Sequence, residues 1–212
     1  MLKFKAMIGL CGLGVLVAGC EQPASGSAFM DLDPYTGALS TKIKLDQDIE
    51  AEYELDGVGV ISGVVGIDDA QIKAYGGYTL DPTSVAGKVV NYVPNQNTSF
   101  VARYEIARAY DINKSTYFLT GNTVTASGAI ALFLDMDSNT LSGTGGNLTL
   151  DTKFDGSQIS GTGSYMDVPL SVKGEFVTGG LPMNGVIGAF HGHTETDAVG
   201  GGFVGTELYV PR

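Results

Sequence analysis

The chain is poor in the residues that small domains use for cross-linking. Of its 212 residues only Cys11 and Cys20 are cysteines, none is tryptophan, and His191 and His193 are the two histidines. So few thiols exclude a disulfide framework and a cysteine-built zinc site. Basic residues are scarce as well: 12 Lys and Arg stand against 23 Asp and Glu, a formal charge of -11. That balance excludes nucleic acid as a partner and leaves a solvated acidic surface or a basic protein partner. The longest apolar run, residues 6–17, is too short to cross a bilayer, which takes roughly 20 residues as a helix. Catalytic signatures are missing too. There is no G-x-S-x-G elbow, no phosphate-cradling GxxxxGK[ST] and no H-E-x-x-H, and the carboxylates show no spacing that singles out an acid and base pair. A noncatalytic protein is expected.

What the chain does have begins at its start. Lys3 and Lys5 precede the apolar run, and small residues Ala18 and Gly19 follow it, the layout of an export signal over residues 1–19. A transmembrane anchor or a buried core helix is the competing reading of the same run. Val17, Ala18, Gly19 and Cys20, with Leu16 in front, resemble the lipobox of bacterial lipoproteins. The resemblance implies a diacylglyceryl group on the Cys20 thiol, cleavage before it and acylation of the new N-terminus. Cys11 would leave with the signal, so no disulfide partner would remain for Cys20. Two or more acyl chains anchor stably where one holds marginally. No cofactor is expected beyond that covalent lipid. Glu21 stands where an inner-membrane retention aspartate would, which points to the outer membrane. Residues 20–27 then read as the lipidated cysteine and a flexible tether, QPASGS. Removing residues 1–19 deletes two lysines and no acid, leaving a charge of -13. An acidic body repels anionic headgroups, so membrane contact is expected through the acyl chains alone.

Past the tether the pattern is one of short strands. Glycine supplies 31 residues without a Gly-X-Y period, a composition of tight turns and closely passing strands. In FVARYEIARAY, residues 100–110, Phe100, Ala102, Tyr104, Ile106, Arg108 and Tyr110 alternate with Val101, Arg103, Glu105, Ala107 and Ala109. A helix competes there because Ala, Arg and Glu favour it, but the Tyr, Ile, Phe and Val content suits a pleated strand. Further strands are expected at residues 42–45, 50–55, 58–65, 71–78, 85–93, 116–120, 126–134, 141–150, 158–165, 169–176, 185–191, 200–205 and 207–210. VPNQNTS, residues 93–99, is either a seam between two subdomains or a long hairpin. LSGTGGNLTL and ISGTGSYMDV share the string SGTG, as adjacent hairpins of a meander would. The expected fold class is all-β, an antiparallel sandwich or barrel over residues 98–212 with an additional N-terminal β subdomain over residues 28–97; the matched glycines permit the sharp bends that a small closed barrel requires.

Residues 126–206 resemble transferrin-binding-protein-like bacterial surface lipoproteins. The likeness rests on GAIALFLDMDSNTLSG, FDGSQISGTGSY, VKGEF and GVIGAFHGHTETDAVGGGFVGT. Gly188, Phe190 and Gly192 match a G-x-F-x-G signature. Gly201, Gly202, Phe203 and Gly205 match its second half as G-G-F-V-G, one residue tighter than the usual pattern. The segment between them departs from the family's Asn, Ala and Glu, carrying His193, Thr194, Glu195, Thr196 and Asp197. The resemblance implies an eight-stranded antiparallel barrel, a meander closing over residues 98–212 and filled by side chains, on a lipid tether, and it leaves the ligand open. A protein or protein-carried ligand is the expected partner.

Two constellations suggest metals. His191, His193, Glu195 and Asp197 would align on one side of an extended strand, although the resemblance places them in a connection where alternation ends. DMDSN, residues 135–139, opens like a calcium loop but has Thr140 and Gly146 where glycine and glutamate are required, and reads as a hairpin turn. The expected function is a lipid-anchored binding module of the outer membrane that grips its partner through barrel loops. A periplasm-facing structural or lipocalin-like carrier is the alternative. An integral outer-membrane barrel is disfavoured by the dense glycine and polar turns.

Overall fold

A computed structural model describes residues 47–55, 59–68, 71–80, 90–115, 118–179 and 181–208. Every regular element among them is a strand. Three form one sheet in the order β1 (Gln47–Leu55), β2 (Gly59–Asp68) and β3 (Gln71–Leu80). The others are β4 (Val90–Asn91), β5 (Thr98–Ser115), β6 (Phe118–Asp135), β7 (Thr140–Gly145), β8 (Leu148–Asp155), β9 (Gln158–Tyr165), β10 (Val168–Gly179), β11 (Leu181–His193) and β12 (Ala198–Glu207). From β5 onward each strand pairs antiparallel with the next, and β12 returns to β5. The meander thus closes as an eight-stranded barrel with no open edge along its closed stretch. β4 continues the pairing of β10 where β9 ends, at Val177 and Thr178.

Alternation decides which side chains fill the barrel. In β8, Leu148, Leu150 and Thr152 point inward while Thr149, Asp151 and Lys153 are exposed. Thr152 is satisfied inside by donating to the Leu141 carbonyl at 2.6 Å. Phe100, Tyr104, Leu132, Leu141, Leu150, Val172, Phe176, Phe190 and Phe203 pack into one interior cluster. Phe176 sits amid aromatic neighbours, with ring centroids 5.8 Å from Phe100, 5.5 Å from Phe154 and 6.0 Å from Tyr92.

Several sequence expectations shift. The run 141–150 is two strands, because Gly146 adopts φ +59 and, with Asn147, makes a two-residue hairpin turn. Segments 116–120 and 126–134 belong to one 18-residue strand, as far as described, since pairing with β5 holds the turn-like GNTVT extended. Segment 207–210 is no separate strand in its described part: Glu207 ends β12 and Leu208 follows outside it. Segment 42–45 lies outside the described residues, as does 85–89. The turns Gly156 and Met166 also have positive φ at their first position, as type II′ hairpins require.

The three-stranded sheet packs on the outer side of β11, β12 and β5, and glycines set how closely. A Cβ at Gly63 would collide with the Gly200 carbonyl, one at Gly200 with the Tyr75 carbonyl, and one at Gly202 would lie 2.8 Å from Ile61 Cβ. Backbone therefore faces backbone across this joint. β12 loses its alternation as a result, being buried on both faces from Ala198 to Gly205. Around the glycines Ile61, Tyr78, Val177, Ile187, Ala189 and Val204 pack together, and Arg103 lies 4.3 Å over the Tyr53 ring.

One carboxylate is buried at the same joint. Glu175, 3% exposed, accepts from the Tyr78 hydroxyl at 2.8 Å. Desolvation by burial raises its pKa, opposed by hydrogen bonds from Tyr78, Asn91 and Gln158. An acid whose folded pKa lies above its unfolded value binds more protons when folded, so its contribution falls as pH rises from the ordinary carboxylate value toward the raised one. Denaturant unfolding at a series of pH values should therefore show the native chain losing stability over that interval, and Glu175→Gln should remove this part of the slope. Replacing Gly200 by valine should cost about 1–3 kcal/mol or more, because facing backbone cannot yield as a side chain would; thermal unfolding measures it. Met166→Gly relieves a positive φ and should stabilise by up to about 1 kcal/mol in the same assay.

Candidate functional site

Strand length creates the feature that stands out from the barrel. β5 and β6 each run 18 residues, whereas their neighbour β7 runs six. β12 accompanies β5 only to Ala109, and β7 meets β6 only from Ala131 onward. Beyond those points β5 and β6 continue as a two-stranded ribbon past the rim. A register shift between Tyr110 and Asn113, with Asp111 at φ 53, bends it. One face of β5 across the ribbon's base, with Ala107, Ala109 and Ile112, packs with Ala51, Val65, Ile72 and Ala74 of the three-stranded sheet.

The turn between β11 and β12 braces the ribbon's base. Thr194 N–H donates to the Asp197 carbonyl at 2.7 Å, and Asp197 N–H donates to Thr194 Oγ1 at 3.0 Å. From β5, Ile112 N–H donates to the Thr196 carbonyl at 2.9 Å, and the Arg108 guanidinium pairs with Asp197 at 2.8 Å. Arg108 also lies 4.7 Å over the Tyr110 ring. Both partners of the ion pair are largely sheltered, so breaking it costs more than at a free surface.

The ribbon's other edge is open. Residues 118–130 of β6 contain no charged residue and no proline, and among the described residues no strand pairs with them on the side away from β5. Gly121 to Thr125 are exposed, with Val124 at 40%. An uncharged, exposed edge is the kind of surface that accepts another strand.

The sequence candidates fall in different places. Cys20 lies outside the described residues. His191 is buried in β11, His193 is exposed at its end with Nδ1 3.2 Å from the Thr194 carbonyl oxygen, and Glu195 is exposed in the turn. Asp197 is held by Arg108 instead of meeting the histidines. Among the described residues no three or more His, Cys, Asp or Glu are grouped to hold a metal ion. Alternation stops at Thr194, where the turn begins. In DMDSN, Asp135 accepts from Asp137 N–H at 2.9 Å and from the Ser138 hydroxyl at 2.8 Å, bonds that lower its pKa and close a hairpin turn.

The signature glycines and phenylalanines have a packing role. Gly188 faces Phe203 across the ladder, and Gly201 faces Phe190. A Cβ at Gly201 would meet the Phe190 ring at 2.8 Å, and one at Gly188 would run into the Phe203 ring. Each ring covers the glycine of the opposite strand, a reciprocal aromatic rescue. Tyr104 lies over Gly128 in the same way. Gly192 and Gly205 instead approach the Pro169 and Val101 carbonyls. Ribbon and braced turn escaped the sequence reading because register and ion pairing join residues far apart in the chain. The charge-free stretch 118–130 was the available signal.

Together these elements define a closed antiparallel barrel, filled inside, with a sheet on its wall and a ribbon beyond its rim. No family model and no curated protein matches the chain. Among solved structures it is similar to a transferrin-binding protein B variant from Haemophilus parasuis, at 14% identity and a TM-score of 0.44 over 80% of this chain and 39% of that one. It is similar to transferrin-binding protein B from serogroup B Neisseria meningitidis at 12% identity and a TM-score of 0.46, covering 78% of this chain and 36% of that one. The haemoglobin receptor HpuA from Kingella denitrificans follows at 15% identity and a TM-score of 0.38, covering 73% of this chain and 57% of that one. The chain therefore spans less than two thirds of each.

Removing the brace should loosen the ribbon selectively. Arg108→Met is expected to cost about 1–3 kcal/mol and to speed amide exchange at Ile112 more than in β8, as hydrogen exchange would show.

Proposed function

We propose that the protein is a noncatalytic, lipid-anchored binding module of the bacterial outer membrane that captures a protein partner at the ribbon end of its barrel. The observation that carries this reading is the ribbon itself, an exposed, charge-free edge held on a braced base. Recognition elements work best when a stiff scaffold holds them out from the body. The interior cluster fills the described barrel, so binding falls to its ends and outer surfaces instead of a lipocalin-like chamber. The lipobox-like run ending in Cys20 supplies the anchor, and a short tether would leave the barrel free at the surface.

An extended partner segment would add to the β6 edge through main-chain hydrogen bonds, with Val124 and Tyr110 offering apolar contact nearby. The acidic surface favours a basic partner.

Mass spectrometry of the mature N-terminus should find acyl chains on Cys20, and Cys20→Ser should move the protein from the membrane to the soluble fraction. Protease applied to intact cells should cut the native protein; full protection would refute surface display. Transferrin and haemoglobin, for which the similar structures are named, are the first immobilised probes. Whatever partner is captured, Thr123→Asp combined with Thr125→Asp should weaken capture by roughly tenfold or more, since charges on an edge block strand addition. Unchanged capture by that variant would move the contact elsewhere.

A further inference from the structure

On the outer wall of β8, β9 and β10, away from the ribbon, lies a groove of about 420 Å³. Lys153, Ser160 and Lys173 form one register row across the three strands, and Asp155, Gln158 and Glu175 form the next. Strands lie about 4.8 Å apart, so the two lysines stand about 10 Å from one another with the Ser160 hydroxyl between them. Both side chains line the groove, and Phe154 and Ile159 contribute to its lining.

Charge here runs against the rest of the molecule. In a chain of net charge -11, Lys153 and Lys173 face a groove lined by a single carboxylate, Asp155. Neither lysine makes an ion pair or hydrogen bond among the described residues. Of the other acids one register row away, Glu175 is turned into the joint and occupied by Tyr78, and Asp151, exposed on the far side of Lys153, does not line the groove.

A second observation points to hydrogen-bond donors on the ligand. The Gln158 amide donates to Ser157 Oγ at 3.2 Å and to Glu175. Its Oε1 is buried and has no hydrogen-bond partner. A buried acceptor left in that state is costly unless something donates to it. The groove thus offers two ammonium groups and a hydroxyl to an anion, and beside them the Gln158 and Asp155 oxygens to O–H groups.

We propose that this groove binds a hydroxyl-bearing small anion of the sugar phosphate class. Lys153, Lys173 and Ser160 take the phosphate, and Gln158 Oε1 and Asp155 accept from the sugar hydroxyls. A groove of this volume falls within the range of small-ligand sites. The site is independent of partner capture at the ribbon.

Glucose 6-phosphate, glucose and inorganic phosphate, titrated separately into the mature chain and followed by amide NMR shifts, test it. Glucose 6-phosphate should shift resonances of residues 153–160 and 173, with affinity falling as salt is raised. Glucose alone and inorganic phosphate alone should each bind roughly tenfold more weakly or worse. Lys153→Met with Lys173→Met, both at exposed positions, should weaken glucose 6-phosphate by a similar factor. Gln158→Met should erase its advantage over inorganic phosphate. No shift at the groove, equal binding of inorganic phosphate, or unchanged binding by the double lysine variant would overturn the proposal.

Discussion

The structure depends on backbone meeting backbone where the three-stranded sheet lies on the barrel. Gly63 and Gly76 on one side face Gly200 and Gly201 on the other, leaving no room for a Cβ between the sheets. Close approach lets Ile61, Tyr78, Ile187 and Val204 bury one another around the glycines. It also turns β11 and β12 into strands buried on both sides, and it holds the Tyr78 hydroxyl against Glu175.

Inside the barrel glycine has a second use. Phe190 and Phe203 each occupy the space above the other strand's glycine, so two large rings fit into a small barrel without forcing its strands apart. The signature G-x-F is thus a cross-strand packing unit. With the interior filled and the wall partly covered by the sheet, the surfaces open to solvent include the ribbon and the outer wall of β8 to β10. The ribbon is stiff because Asp197 and Thr196, from the opposite end of the barrel sequence, hold Arg108 and Ile112.

Local patterns made much of this legible. Alternation in residues 100–110 marked a strand whose Phe100, Ala102, Tyr104 and Ile106 do point inward, and residues 158–165 form β9 with those bounds. Where the pattern misled, the cause was pairing or turn geometry. Gly146 split the 141–150 run because a two-residue turn needs its positive φ, while GNTVT stayed extended because β5 lies beside it. Ala107 and Ala109, on the face that alternation turned away from the barrel interior, are buried under the other sheet.

By itself the sequence determined that the chain would be all-β, because alternation and turn chemistry act over a few neighbouring residues, and the closed barrel was legible only through the family resemblance of residues 126–206. Tertiary structure alone decided how far β5 and β6 outrun their neighbours, that Asp197 would pair with Arg108, and that Lys153 and Lys173 would share one groove. Those outcomes depend on strand register, which brings together residues as distant as Arg108 and Asp197, 89 positions apart, and which no local pattern encodes.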